Sequence, residues 1–509
     1  MRLTENLREM ERGREAYWLR HPGTSPTKLR WRALTVKHAF HVLPGEAILE
    51  LGAGSGLWTS HLTDVLRGEN PITAAVFNAD LAARIEARDL PNVSVRQVSD
   101  LRQDLPVGGF DYVVGTAILC HNEYALNLKA LYPLLKPGGQ ILFFEANFWN
   151  PQVLAKSLLP WAARRAGNPP SQIGMRKYRL LQETSRQGFT NVEIIPFDIV
   201  HPRTPRGAIP AFQSVAFLME QLPGIRELCG TLYIWAKKPG DRRTLRRHAN
   251  LAFHEGLFGS TSIVVPCRNE AESIPRLYAA LTEAYGDYIH EILFVDDCSA
   301  DDTAAVAGAL AETDSRVKVI VREGEPGVGR ALRSGYATAT GRYVLSLDCD
   351  FALIVPELRD LFDAIAAGNE GAVGSRFSHD SILVNYPLPK IIANRGFHAL
   401  LRFVTRLPIH DVTNNLKLYP TEMIREIEIV EDGFAANAEV GLAPLVSGRS
   451  IAEVPISWID RTPDMGRSSF GILRAAPGYW RVLLRTARNR RANGQLARRT
   501  RDGRGANGV

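Results

Sequence analysis

The chain has 509 residues, 45% of them hydrophobic and 23% charged, the balance of a folded protein with two or three domains. No apolar run approaches the roughly 18 residues of a membrane span, and five scattered cysteines without C-x-x-C spacing exclude a disulfide framework or zinc cluster and read as reduced cytosolic thiols. The net charge of +7 is uneven: an arginine-rich stretch from Arg474 onward can attract nucleic acid or an anionic membrane, or serve as a solvated tail.

Residues 1–43 read as a charged helical extension, with Tyr17, Trp18, Leu29 and Trp31 as docking points. Arg2, Glu5 and Arg8 break any secretory apolar core there. Next comes Ala47-Ile-Leu-Glu50-Leu-Gly52-Ala-Gly54-Ser-Gly56, followed by an amphipathic stretch over 58–66. This is strand, glycine turn, helix. The glycines let the backbone approach a ligand, and the helix start offers unpaired N–H groups. The spacing G-x-G-x-G departs from the G-x-G-x-x-G of a dinucleotide site. Further strands are expected at 72–77, running out to Asn78 and Asp80, at 93–98, running out to Asp100, and at 110–114. A turn over 134–139 leads into a fifth strand at 140–144, and 147–206 reads as a lid over the acceptor. Alternating strands and helices imply a doubly wound α/β sheet with its ligand at the carboxyl ends of the strands.

This ordered set, over residues 44–240, resembles class I S-adenosylmethionine-dependent methyltransferases. The resemblance implies a Rossmann-like sheet and S-adenosylmethionine as cofactor. Glu50, Gly52, Gly54 and Gly56 would line the cofactor's methionine end, and Asp100 would meet the adenine. The family's ribose-binding acid matches Asn78, a departure, with Asp80 two residues on. Methyl transfer depends mostly on positioning. His121, Glu123 and Glu145 lie near strand ends, as bases or as structural groups.

Residues 241–259 read as a basic linker, 260–475 as a second domain and 476–509 as a basic tail. A strand at 261–265 leads to Pro266-Cys-Arg-Asn-Glu270, with a helix from Ser273. A strand at 291–295 ends in Asp296-Asp297, and another spans 317–321. Residues 327–330 read as a phosphate-friendly turn. The buried strand at 343–347 then runs into Asp348-Cys-Asp350. Two acids one residue apart repel unless a cation sits between them. Mg²⁺ or Mn²⁺ binds carboxylate oxygens and keeps positions for phosphate oxygens, which suits the diphosphate of a nucleotide-sugar. Alone, D-x-D also fits a solvated acidic turn.

The segments "VPCRNE", "VDDCSADDT", "GVGRALRSGYATATGRYVLSLDCD" and "EVPISWIDR" together resemble glycosyltransferase family 2, of GT-A fold, and its dolichyl- or polyprenyl-phosphate mannosyltransferase branch. The resemblance implies that Pro266, Glu270, Asp297 and Asp348 contact the nucleotide-sugar, GDP-mannose or a UDP-hexose. Asp348 and Asp350 would hold the metal, while Ala352 stands where the branch often carries a polar helper. Arg376, Arg395 and Arg461 are the cations expected to gather two anionic phosphates. With a hydroxyl acceptor a base is required, and Asp411 is the candidate. Phe397, Leu400, Leu401 and Val404 make an apolar stripe edged by Arg395, Arg402 and Arg406, fitting either core or a membrane-interface helix. The expected protein is a bifunctional enzyme. One domain moves a hexose, mannose by preference, to polyprenyl phosphate with a divalent metal and inversion; the other methylates an unspecified acceptor. The alternative is transfer to a hydroxyl of a glycan or small molecule, with the first half a binding module. The expected location is cytoplasmic, or peripheral at the cytoplasmic face of the membrane, without nucleic acid as a partner.

Overall fold

Runs of β-branched and aliphatic residues build two sheets of seven strands each. A computed structural model describes the chain apart from residues 1, 120–123, 160–173, 210, 211, 213–218, 221, 241–249, 379, 385, 460–470, 472, 473 and 489–509. It divides into Met1–Arg247 and His248–Val509.

In the first unit the strands are β1 (Ile48–Leu51), β2 (Ile72–Val76), β3 (Val93–Gln97), β4 (Phe110–Thr116), β5 (Leu135–Ala146), β6 (Thr190–Phe197) and β7 (Thr231–Lys237), in the order β3-β2-β1-β4-β5-β7-β6. β1 to β5 pair in parallel, while β7 runs antiparallel to β5 and β6. All four residues of β1 are buried, as in a parallel strand covered on both faces. The strand order reverses between β1 and β4, so the loops after β1, β2 and β4 open onto one sheet edge. Two readings change. β6 lies inside the expected lid but is an outer strand of the sheet. The expected turn over 134–139 is mostly strand, because Leu135 already pairs with Phe110 across a bulge.

Helix α1 (Arg2–Arg20) buries Leu7, Met10, Glu11, Arg14 and Trp18, one face at helical spacing. Helix α2 (Ser25–Phe40) starts with proline in its first turn and ends at His41 in the left-handed conformation. Leu29 and Trp31 are buried on it.

In the second unit the strands are β8 (Thr261–Cys267), β9 (Ile289–Asp296), β10 (Val317–Val321), β11 (Tyr343–Ser346), β12 (Gly371–Ser375), β13 (Leu383–Val384), β14 (Lys417–Pro420), β15 (Ile451–Pro455) and β16 (Trp458–Ile459). The main sheet runs β10-β9-β8-β11-β14-β12-β15, and β13 pairs with β16 alone. β14 is antiparallel to β11 and β12, which sets Lys417 opposite Ser346, two residues before Asp348. Parallel β8, β9 and β11 deliver Pro266, Asp297 and Asp348 to one rim. Among the described residues, no helix is long and apolar enough to cross a membrane.

Glu291 of β9 ties this sheet laterally. It accepts hydrogen bonds from Ser262 Oγ at 2.7 Å, Thr340 N at 2.7 Å, Thr340 Oγ1 at 2.8 Å and Lys318 Nζ at 2.6 Å. Burial alone would raise its carboxyl; these donors win and bring it from the ordinary 4.5 to about 2. A depressed carboxyl contributes stability that is complete above about pH 4.5 and is lost as pH falls towards about 2. Glu291→Gln is therefore expected to lower stability at pH 7 and to flatten its fall over that acid range, read by denaturant titration across pH.

Candidate functional site

The carboxylates of the second unit meet in a cavity of 480 Å³ at the rim below β8 and β11. Pro266, Glu270, Asp297, Asp348, Asp350 and Arg376 all line it. Asp350 lies in the first turn of the Cys349–Leu358 3₁₀ helix, and Asp348 stands at its N-cap position without a side-chain capping bond, so the two acids closely follow β11. Burial first, and the Asp350 charge second, push the Asp348 carboxyl up, against Asn415, Lys417 and Arg376. Burial pushes the Lys417 ammonium the other way, down to about 7, although Asp411 and Asp348 oppose this.

Asp297 is already held. It accepts from Gly327 N at 2.6 Å and pairs with Arg322. Gly329 N donates to Asp432 O at 2.8 Å, and Arg330 pairs with Glu325 and Asp432. The expected phosphate turn at 327–330 is thus a helix start at which Gly327 N and Gly329 N are already held by Asp297 and Asp432, while Val328 lines the cavity.

Arg376 and Asp411, two expected catalytic groups, are each other's partners. Arg376 Nε donates to Asp411 Oδ2 at 2.7 Å and its NH2 to Oδ1 at 3.1 Å, a two-point fork. The same guanidinium reaches Thr413 Oγ1 at 2.9 Å and Tyr386 at 3.3 Å, within 6 Å of the Phe377, Tyr386 and Trp458 rings. Asp411 also accepts from Thr413 N at 3.1 Å and Asn414 Nδ2 at 3.2 Å. Burial would raise its carboxyl, but the Arg376 charge and fork hold it well below the carboxylate range. So low a group is a poor proton acceptor. Asp411 orders Arg376 rather than standing ready as a base.

Arg395 does not line the cavity; Arg268 and Lys390 do. Lys390 lies five residues before Arg395 on the Leu388–Thr405 helix, about 140° round it, so the two cations leave the helix on different faces. Arg461 lies outside the described residues. The opposite flank is apolar: Phe397 and Leu400 face Tyr479, Trp480 and Leu483. The last three sit on a helix over 474–488, which overlaps the start of the basic tail that the sequence places at 476–509. Glu431 anchors this helix by accepting from Arg481 at 2.9 and 2.6 Å and from Arg485 at 3.1 Å, and Glu439 pairs with Arg485. Arg481 and Arg485 thus pair with acids of the domain, and Val482 and Leu483 join the core with Leu401.

In the first unit Gly52, Gly54 and Gly56 have φ of 65°, 61° and 79°, a region that disfavours any Cβ. Glu50 is buried, which pushes its carboxyl up to about 7, and its Oε2 has no hydrogen-bond partner among the described residues. Asn78 donates from Nδ2 to Glu11 Oε2 at 2.7 Å and to Arg8 O at 3.1 Å. Asp100 is exposed, and its Oδ1 accepts from Arg102 N at 2.8 Å. Asn78 and Asp80 line a second cavity, of 730 Å³, beside α1. Glu145 accepts from Ile118 N and Leu119 N, each at 3.0 Å, so it shapes the loop after β4. His121 and Glu123 lie outside the described residues. Sequence reasoning missed Glu11, Arg14 and Glu15 of α1. The signal was their place on the Leu7-Met10-Trp18 stripe, where solvated charges do not belong.

The glycosyl transferase family 2 model matches residues 262–428, and the ubiE/COQ5 methyltransferase family model matches residues 27–187. The chain joins a ubiE/COQ5-type methyltransferase domain to a family 2 glycosyltransferase domain. It is similar to the polyprenol monophosphomannose synthase of Mycolicibacterium smegmatis, 29% identical over 223 residues, covering 42% of this chain and 83% of that protein. It is also similar to the undecaprenyl-phosphate mannosyltransferase of Micrococcus luteus, 26% identical over 219 residues, covering 42% of this chain and 89% of that one.

The methyltransferase family implies S-adenosylmethionine. The residues after β1 and β2 fit its oxygens: the N–H groups of Gly54, Ser55, Phe77 and Asn78 already hold carboxylate oxygens, those of Glu11 and Glu15. The orphaned Glu50 Oε2 suits an ammonium group. In the glycosyltransferase domain Asp348 and Asp350 both line the cavity and offer two carboxylates that would suit a divalent cation, while among the described residues no group of three or more His, Cys, Asp or Glu side chains gathers to hold one.

Proposed function

We propose that the glycosyltransferase domain transfers a hexose, mannose first, from a nucleotide-sugar to polyprenyl phosphate, and that the methyltransferase domain methylates an acceptor of the same pathway. One observation carries the first part: a single cavity is lined by the acids Asp348 and Asp350, by the cations Arg268 and Lys390, and by the apolar Phe397, Leu400, Trp480 and Leu483. Those three sets suit diphosphate, acceptor phosphate and prenyl chain. Both relatives above are named for polyprenyl-phosphate mannosyl transfer.

The chemistry agrees with the side chains. A phosphate monoester is largely dianionic near pH 7 and attacks without a base, which suits a site whose one expected base, Asp411, is locked to Arg376. The acceptor oxygen forms its bond to the anomeric carbon as the bond to the nucleoside diphosphate breaks, with inversion and an oxocarbenium-like transition state. Asp348 and Asp350 would hold a divalent cation, which when bound neutralises charge on the departing diphosphate. Lys390 and Arg268 would offset the repulsion between two phosphates.

The apolar flank continues onto the surface. Ile392, Leu400 and Phe403 lie along one face of the Leu388–Thr405 helix, Phe403 being 84% exposed, and Trp480 and Leu484 are exposed on the 474–488 helix. Arg395, Arg402 and Arg406 edge the first of these, the composition of a peripheral anchor on an anionic bilayer. Burying one aromatic side chain is worth roughly 1.5–3 kcal/mol. Phe403→Glu with Leu484→Glu, both outside the cavity lining, is therefore expected to lower partition onto anionic vesicles at least about tenfold. It should raise KM for long-chain lipid phosphate and leave kcat and a water-soluble short-chain acceptor unaffected. The acceptor class itself is tested by competing polyprenyl phosphate with the unphosphorylated prenol and a free sugar. Only the phosphate is expected to be glycosylated, and sugar on either hydroxyl acceptor instead would refute the proposal.

A further inference from the structure

The cofactor cradle of the methyltransferase domain holds part of its own chain. Glu11 of α1 is fully buried between the ends of β1 and β2. Its Oε1 accepts Gly54 N at 3.1 Å. Its Oε2 accepts Phe77 N and Asn78 N, both at 3.0 Å, and Asn78 Nδ2 at 2.7 Å. One turn on, Glu15 takes Ser55 N at 3.3 Å and the Ser55 hydroxyl. Between them Arg14 donates to Gly52 O and, at 3.1 Å, to Thr116 O. A Cβ built on Gly54 would meet Glu15 Oε2 at 2.7 Å. The glycines thus make room for α1 where the methyltransferase reading puts the cofactor.

Two roles are open to these carboxylates, and the hydrogen bonds choose between them. Glu11 stands beside Asn78, at the position where an acid would grip ribose, so it invites the role of a substitute ligand. A carboxylate has about four acceptor positions, two on each oxygen; Glu11 Oε2, the oxygen beside Asn78, already accepts three protein donors and Oε1 accepts one. The oxygen at the ribose position therefore has none left in this pose. The N–H groups it holds are themselves what a ligand's oxygens would need. We infer that α1 is a built-in competitor of S-adenosylmethionine: Glu11 and Glu15 occupy the backbone donors of the cradle, and the cofactor enters only as α1 leaves.

The inference rests on the methyltransferase reading of this domain. α1 is held by its apolar contacts at Leu7, Met10 and Trp18, whereas burial works against the charge of Glu11 and raises its carboxyl. The competing contact is therefore weaker than its count of hydrogen bonds implies. A site open only in a minor population binds with an affinity reduced by that fraction.

The test titrates S-adenosylhomocysteine by calorimetry into the full chain and into Glu11→Ala/Glu15→Ala, with hydrogen exchange of the unaltered protein measured with and without the ligand. The expected result is binding at least tenfold tighter to the double variant. In the unaltered protein the ligand should speed exchange of α1 amides and slow those of residues 52–56. Equal or weaker binding to the variant, or α1 amides slowed by ligand, overturns the competitor while leaving the cofactor reading intact. Binding to neither protein overturns both. Should the double variant fail to fold, the exchange result on the unaltered protein decides alone.

Discussion

Asp350→Asn is expected to cut sugar transfer at least about a thousandfold while leaving the melting temperature unchanged or raised. The two effects have one cause. Burial pushes the Asp348 carboxyl up, and the Asp350 charge at the end of β11 adds to it. Asparagine at 350 removes that repulsion and keeps the size and shape of the side chain. The same change halves the carboxylate set offered to a divalent cation, and a cation at a departing phosphate is worth several kcal/mol in the transition state. At 1.36 kcal/mol per tenfold, that is about three orders of magnitude. Steady-state turnover and a thermal melt on one preparation check both halves. Activity within tenfold of the parent would place the chemistry elsewhere.

Arg376→Ala is expected to fail in the opposite way, losing fold and activity together. Its guanidinium is the two-point partner of Asp411, whose side chain is fully buried. Removing one member of a buried pair strands the other and costs about 3–5 kcal/mol. For a domain of this size that is a fall in Tm of about 10 °C. Asp411→Asn should also lower Tm, because Thr413, Asn414 and Arg376 all donate to that carboxylate. This separates an ordering residue from a base. A base would lose turnover without loss of stability, and its pH profile would lose a limb. Under the proposed reaction the surviving limb belongs to the acceptor phosphate, with its second ionisation near pH 6.

Much of the frame was legible because parallel strands buried on both faces must be apolar. β1, β8, β9 and β11 announce themselves that way, and each runs into a glycine turn or an acid. The rim formed by Pro266, Asp297 and Asp348 follows from that alternation. What stayed illegible depends on long-range partners. Arg376 and Asp411 are 35 residues apart, and each alone reads as a free charge of the right kind. Only the loop before β14, folded back onto the end of β12, makes them a pair. The helix over 474–488 reads as a basic tail because Glu431 and Glu439, which neutralise Arg481 and Arg485, lie about 50 residues upstream. The buried acids of α1 stayed illegible because their partners, backbone N–H groups after β1 and β2, lie 40 to 67 residues along the chain.

The pairing of Arg376 with Asp411 also divides the cations of the cavity. The fork balances the Arg376 charge against Asp411 among the Phe377, Tyr386 and Trp458 rings and spends its donors internally. Under the proposed reaction Arg268 and Lys390 would be the lining cations that meet phosphate.

The decisive measurement follows a radiolabelled hexose from GDP-mannose, and from UDP-glucose in parallel, with polyprenyl phosphate and Mn²⁺, in the parent and in Asp350→Asn. The account expects label in the organic phase, released by mild acid as free sugar, from the parent alone. Label that stays in water on an alkali-stable glycoside, or organic-phase label formed equally by the variant, would contradict it.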